Sequence, residues 1–89
     1  MEIQDRFEAG CVILDIEDDR FGYPKTVVLK NHVQRLLHEG NKHFVLNLSK
    51  VDMIDSFGLA SIISILKLCK GQNGDVSIYG LNDNVAKLM

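Results

Sequence analysis

Apolar residues change their spacing several times along the chain, and each change marks an element. Residues 11–17 alternate, with Val12, Leu14 and Ile16 on one side and Asp15 and Glu17 on the other, the two-residue period of a half-buried strand. Residues 3–7 supply a strand that can pair beside it, with Glu8, Ala9 and Gly10 as the turn. After residues 20–23, Pro24 fits a first helical turn, and Leu29, Val33, Leu36 and Leu37 recur on one helical face until Gly40 stops it. Alternation returns at 43–48, where Phe44, Leu46 and Leu48 oppose Val45 and Asn47, and this segment is expected to be the central strand. A second helix is predicted over 56–70, before Gly71 and Gly74, and a further strand over 75–79. Asn82 or Asp83 then caps a final helical turn carrying Val85, Leu88 and Met89. Strands separated by helices predict an α/β fold in which helices cover a small sheet.

With 89 residues, 46% of them hydrophobic and 25% charged, the chain fits one domain with one core and leaves little room for a deep active site. Its longest uncharged run, 56–66, falls well short of the ~20 apolar residues that a membrane-spanning helix needs. The first eight residues are acidic and lack the basic start and apolar run of a signal peptide, so a cytoplasmic location is expected. Cys11 and Cys69 lie far apart without a C-x-x-C partner, which predicts buried thiols and neither a zinc framework nor a disulfide scaffold.

The net charge of −2 is unevenly spread, with seven acids against Arg6 in residues 1–19 and eight bases against Glu39, Asp52 and Asp55 in residues 20–70. The bases stand singly, without the dense stripe or interleaved aromatics of a nucleic-acid surface. Glu17, Asp18 and Asp19 lack the glycine and terminal glutamate of an EF-hand loop and read as a solvated turn. No metal or cofactor is expected.

The segment from Leu48 to Lys70 is the most informative. Spaced at 100° intervals, Leu59, Ile62, Ile63, Leu66 and Cys69 fall in one stripe, the expected core face. The opposite stripe holds Phe57, Ser61, Ser64, Ile65 and Leu68, where a solvated helix would carry Lys, Glu and Arg, and no charge appears before Lys67. Such a helix is buried on both sides, by flanking loops or a second copy of the chain, or it is presented to a partner. The second reading makes this face a protein-binding surface built on small Ser and Ala positions, Ala60 among them, with Phe57, Ile65 and Leu68 as apolar anchors. Asp55 or Ser56 is a natural cap for the free N–H groups of the first turn. A phosphate on the Ser56 hydroxyl would be tolerated there, because a helix N-terminus favours negative charge.

The run Asn47-Leu48-Ser49-Lys50-Val51-Asp52-Met53-Ile54-Asp55-Ser56-Phe57-Gly58-Leu59-Ala60 resembles the strand, loop and helix start of STAS domains, specifically the bacterial anti-sigma factor antagonists. The Asp-Ser-x-Gly-Leu element carries the resemblance, and the rest of the chain matches more loosely, including the strand and exit at 74–80. The resemblance implies a small mixed β-sheet with a single layer of helices on one face. It also implies a partner-switching regulator of transcription that binds an anti-sigma factor, a serine kinase of the histidine-kinase-like ATPase fold. In this reading Asp55, Ser56, Phe57, Gly58, Ala60, Ser61, Ser64, Ile65 and Leu68 form the contact. Phosphorylation of Ser56 ends binding, and a PP2C-type phosphatase restores it. Three features depart from the family pattern. Phe57 occupies a position that is usually small, Asn47 stands where many members have Asp, and relatives continue past Met89 with a strand and a C-terminal helix. Either the chain is truncated at Met89, or a partner or a homodimer completes the sheet edge.

Other readings remain open. The same helix could grip an ATPase without a phosphorylation cycle, as the STAS subunit of a lipid-transport ABC complex or of a stress-signalling assembly. An enzyme is not expected: Ser56 and Gly58 match half of a G-x-S-x-G elbow, but position 54 is Ile, and His32, His38 and His43 show no ligand or triad spacing.

Overall fold

The computed structural model describes residues 3–81. Their elements run β1 (Ile3–Glu8), β2 (Cys11–Ile16), β3 (Arg20–Phe21), α1 (Lys25–His38), β4 (His43–Asn47), β5 (Met53–Ile54), α2 (Ser56–Gly71) and β6 (Asp75–Tyr79). The final helical turn expected after Asn82 lies outside the described residues.

A two-residue turn joins β1 to β2, and Ala9 and Gly10 both adopt positive φ, 52° and 79°. That backbone matches the twist of the flanking strands, which is why a short hairpin forms here and Glu8 pairs with Cys11. β2 then pairs in parallel with β4, and β4 with β6, giving a four-stranded mixed sheet in the order β1-β2-β4-β6. Two crossovers step in the same direction across this sheet, through α1 and then α2. Right-handed crossovers of that kind place both helices on one face.

The strand alternation follows from this one-sided cover. Val12, Leu14, Ile16, Phe44, Leu46 and Leu48 are buried with Leu29, Val33, Leu36 and Leu37 of α1 and Ile62, Ile65 and Cys69 of α2. Each fully buried aliphatic or aromatic side chain contributes about 1.5–3 kcal/mol relative to exposure, so this single cluster is the main source of stability. On the opposite sheet face Arg6 donates to both carboxylate oxygens of Asp15, at 2.6 and 3.0 Å, and Asn47 donates to the same carboxylate at 2.7 Å. The Arg6 hydrogen bond, helped by Asn47, holds the Asp15 carboxyl below its ordinary range.

The strands at Ile3–Glu8, His43–Asn47 and Asp75–Tyr79, the α1 face and the central place of β4 all agree with the pattern of the sequence. The two-residue strands β3 and β5 were not expected. They pair in parallel, Arg20 with Met53 and Phe21 with Ile54, and bring the chain before α1 against the chain before α2.

Candidate functional site

The start of α2 is fixed by that small ladder. Asp55 N donates to the Phe21 carbonyl at 3.4 Å, and just upstream Asp52 N donates to the Asp19 carbonyl at 2.8 Å. Asp55, in extended conformation, is the N-cap: its Oδ1 accepts from Gly58 N at 2.8 Å, and its carbonyl accepts from Leu59 N at 3.1 Å. Of the two capping candidates Asp55 therefore fills the role, and the Ser56 hydroxyl, on the first helical residue, stays exposed.

Gly58 is buried, and its missing side chain is what lets α2 close on β3. A methyl group there would overlap the Phe21 carbonyl oxygen and come within 2.9 Å of Ile54 Cγ2. Because the obstacle is backbone, it cannot move aside. This accounts for the glycine of the Asp-Ser-x-Gly-Leu element by packing, and corrects its expected place in a contact surface.

The expected outer face of α2 needs a wider correction. Ser61 and Ile65 are buried, at 8% and 2% exposure, and Ser64 and Leu68 are half-buried. Phe57, Ser61, Ser64 and Leu68 recur at helical spacing on the flank that meets α1. There the Ser61 hydroxyl donates to the Thr26 carbonyl at 3.4 Å, and the Tyr23 and Phe57 rings lie 6.0 Å apart, tilted at 50°. The small serines let the two helices approach, so helix packing takes up much of the missing charge. Ile63, expected in the core, is instead 46% exposed. Leu59 and Leu66 are only half-buried, whereas Ile62 and Cys69 are core residues as expected.

The solvent stripe of α2 is therefore Ser56, Ala60, Ile63, Lys67 and Lys70, with Phe57 on its shoulder at 61% exposure. Tyr23, at 68%, adjoins it through the Phe57 ring, and Met53, at 57% on β5, lines the depression beside the Asp55 cap. These two were missed because nothing in their local spacing signals this placement, which the β3–β5 pairing creates. Among the described residues, this brings Asp55, Ser56, Phe57 and Ala60 to one exposed, largely apolar surface and leaves Gly58, Ser61 and Ile65 beneath it.

Beside the cap is a depression of about 390 Å³ with Arg20, Gly22, Tyr23, Lys25, Met53 and Asp55 on its walls. Lys25 is ion-paired with Asp18, whose other oxygen accepts from Arg20 N at 3.2 Å. Hydrogen bonding to Lys25, then to the Arg20 backbone, lowers the Asp18 carboxyl to about 2. With Glu17 paired to Lys50, two of the three clustered acids are held by lysines. Among the described residues no group of three His, Cys, Asp or Glu side chains is placed to hold a metal ion.

Two of the three histidines, His32 and His43, make polar contacts between elements. Arg35 donates to His32 Nδ1 at 3.0 Å, so His32 Nε2 carries the proton and donates to Asp5 at 2.7 Å. His43 Nδ1 meets Asp75 across β4 and β6 at 3.0 Å. Burial pushes the Cys69 thiol above its ordinary pKa, and Cys11 is half-buried; both are free. No helix among the described residues is long and apolar enough to cross a membrane.

A sheet with two crossover helices on one face recurs in solved structures. TM1081, a candidate anti-sigma factor antagonist from Thermotoga maritima, matches with a TM-score of 0.86 and 26% identity over 99% of this chain and 70% of its own. The unphosphorylated anti-sigma factor antagonist SpoIIAA matches with a TM-score of 0.80 and 10% identity over 99% of this chain and 81% of its own. Mglu matches at 0.77 and 20% identity over 90% of this chain, which spans only 20% of the Mglu chain. Among curated proteins none matches. The strand, loop and capped helix around Asp55 thus sit in a recognised frame: the STAS domain model matches residues 2–89, and the chain belongs to the STAS domain family.

Proposed function

We propose that this protein is an anti-sigma factor antagonist, a binding module without catalytic residues of its own, that docks an anti-sigma factor kinase of the histidine-kinase-like ATPase fold through the N-terminal half of α2. The observation that supports this most is the exposed Ser56 hydroxyl. It stands on the first residue of α2, directly after the Asp55 cap, with exposed Phe57 and Ala60 on the same helix. SpoIIAA, with the same fold, has been solved in unphosphorylated and phosphorylated forms.

Phosphorylation of Ser56 would add about −1.5 to −2 charge to the uncharged part of this surface. Docking would then require stripping water from a dianion and placing it beside Asp55, so binding is lost. The fold is kept, because the phosphate sits at a helix N-terminus, where the macrodipole favours negative charge. A PP2C-type phosphatase resets the switch. The relevant surface is the solvent stripe Ser56, Phe57, Ala60 and Ile63; Ser64 and Leu68 contribute only at its border with α1.

Incubating the protein with ATP in a lysate of its native cells, followed by intact-mass measurement and peptide mapping, tests the modification. One phosphate on the peptide containing Ser56, absent from Ser56→Ala, is expected. Phosphate at another residue, or none under conditions where a known kinase substrate in the same lysate is modified, would contradict the switch.

A further inference from the structure

We propose that His32 is a proton-driven latch on Arg35: the neutral ring holds the guanidinium, the protonated ring releases it, and Asp5 stays bound in both states. Ser56 plays no part in it. β1 is an edge strand of the sheet, and its residues on the helix side are Ile3, Asp5 and Phe7, paired with the buried Ile16, Leu14 and Val12 of β2. Phe7 is exposed and Ile3 half-buried, so apolar packing between β1 and α1 is thin. In the middle of this seam the half-buried Asp5 carboxylate accepts from His32 Nε2, at 2.7 and 2.9 Å to its two oxygens. The other ring nitrogen, Nδ1, accepts from Arg35 at 3.0 Å. Arg35 has an acid within reach as well, Glu39 one helical turn on, at 3.7 Å.

A carboxylate only accepts and a guanidinium only donates, so the ring between them donates through Nε2 and accepts through Nδ1, a pattern that only a neutral imidazole offers. One proton taken up from solvent at Nδ1 turns that acceptor into a second donor. The Arg35 N–H then faces another N–H and a positive charge, its hydrogen bond is lost, and the guanidinium turns to Glu39. The contact to Asp5 becomes an ion pair and is kept. Among the described residues the charged groups that meet the ring are Asp5 from β1 and Arg35 from α1, with Glu39 behind it; the β2 residues beside Asp5 and Ile3, Leu14 and Ile16, are apolar. Arg35 also lines a groove of about 540 Å³ together with Ile3, Val28 and Asn31. Its release clears one wall of that groove, and the added proton takes the trio Asp5, His32 and Arg35 from neutral to a single positive charge.

Nitrogen NMR of the full chain, titrated from about pH 8 to about pH 5, spans the range in which histidines change charge and reads both ends of the latch. At the upper end the His32 ring is expected as the Nε2–H tautomer. As the ring protonates, the Arg35 side-chain signals should move with the same midpoint as His32. The Arg35–Nδ1 contact should become about tenfold less populated or more, the effect of losing one hydrogen bond to a charged group. His32→Gln is the control: its amide N–H donates to Asp5 and its amide oxygen accepts from Arg35, the pattern of the neutral ring, with no proton to gain. In that variant the Arg35 signals should stay fixed across the titration, and circular dichroism checks that it folds. The Nδ1–H tautomer at about pH 8, Arg35 signals that stay still while His32 titrates, or a shift that persists undiminished in His32→Gln would each overturn the latch.

Discussion

Ile63 and Ile65 stand two residues apart on α2 and meet opposite surroundings. Ile65 is 2% exposed, part of the core shared by the sheet and both helices, whereas Ile63 is 46% exposed on the solvent stripe. The two side chains have identical hydrophobicity, so the difference comes wholly from what packs against the helix. α2 is covered along two adjoining flanks, by the sheet and by α1, and the stripe left over is the one that continues into Lys67 and Lys70. A helix can therefore lack charge over most of its length for two unrelated reasons, helix packing on one stripe and, as proposed for the other, docking of a partner.

The comparison breaks most directly by truncating each residue in turn. Ile65→Ala should lower the unfolding free energy by about 2–5 kcal/mol in urea, through lost burial and the cavity left behind. Ile63→Ala should stay within about 0.5 kcal/mol of the parent. Equal losses would mean that α2 is rotated from the position described. A smaller effect tests the buried flank from the other direction: Gly58→Ala should cost about 1–3 kcal/mol, because the added methyl meets the immovable Phe21 carbonyl. An unchanged urea midpoint would show that α2 does not close on β3.

The acid groups beside the site sharpen the picture through pH. The Asp18 carboxyl titrates at about 2, below the ordinary value of about 3.9, so its pairing with Lys25 and the Arg20 backbone stabilises the fold fully above that ordinary value. The contribution fades as pH falls toward 2. Asp15, lowered chiefly by Arg6, acts in the same direction. Thermal unfolding from about pH 5 down to about pH 2 should therefore show a falling midpoint, with a shallower fall in Asp18→Asn. Identical slopes in the two proteins would show that Asp18 has no native partner. Least in effect, alkylation of the native protein should label Cys11 before Cys69, whose thiol is buried and raised in pKa. Labelling of Cys69 first would place it outside the core.

Much of the fold was legible because strand alternation is a strong local signal. Val12, Leu14 and Ile16, and Phe44, Leu46 and Leu48, face the core as their spacing requires, and Leu29, Val33, Leu36 and Leu37 give the α1 face. The stripe assignment on α2 failed because residues 56–66 contain no charge to mark the wet side, so hydrophobicity alone could not separate Ile63 from Ile65. The lysines held the usable signal. Stepping back from Lys67 at helical spacing reaches Ile63, Ala60 and Ser56, the stripe that is exposed. β3 and β5 were invisible because two residues carry no period, and with them went the placement of Tyr23 beside Phe57. Gly58 shows the complementary case: the motif was readable, but its glycine answers to the Phe21 carbonyl and not to a partner.

The claim that the exposed stripe beginning at Ser56 is a switchable docking surface is tested most directly by capture from the native lysate. Wild-type, Ser56→Asp and Phe57→Glu baits would be used side by side, with the bound proteins identified by mass spectrometry. A kinase-like ATPase held by the wild type and lost by both variants is the expected result. An ATPase held equally by the wild type and Ser56→Asp would make the protein a constitutive subunit and contradict the switch, and one held equally by Phe57→Glu would place the docking surface elsewhere.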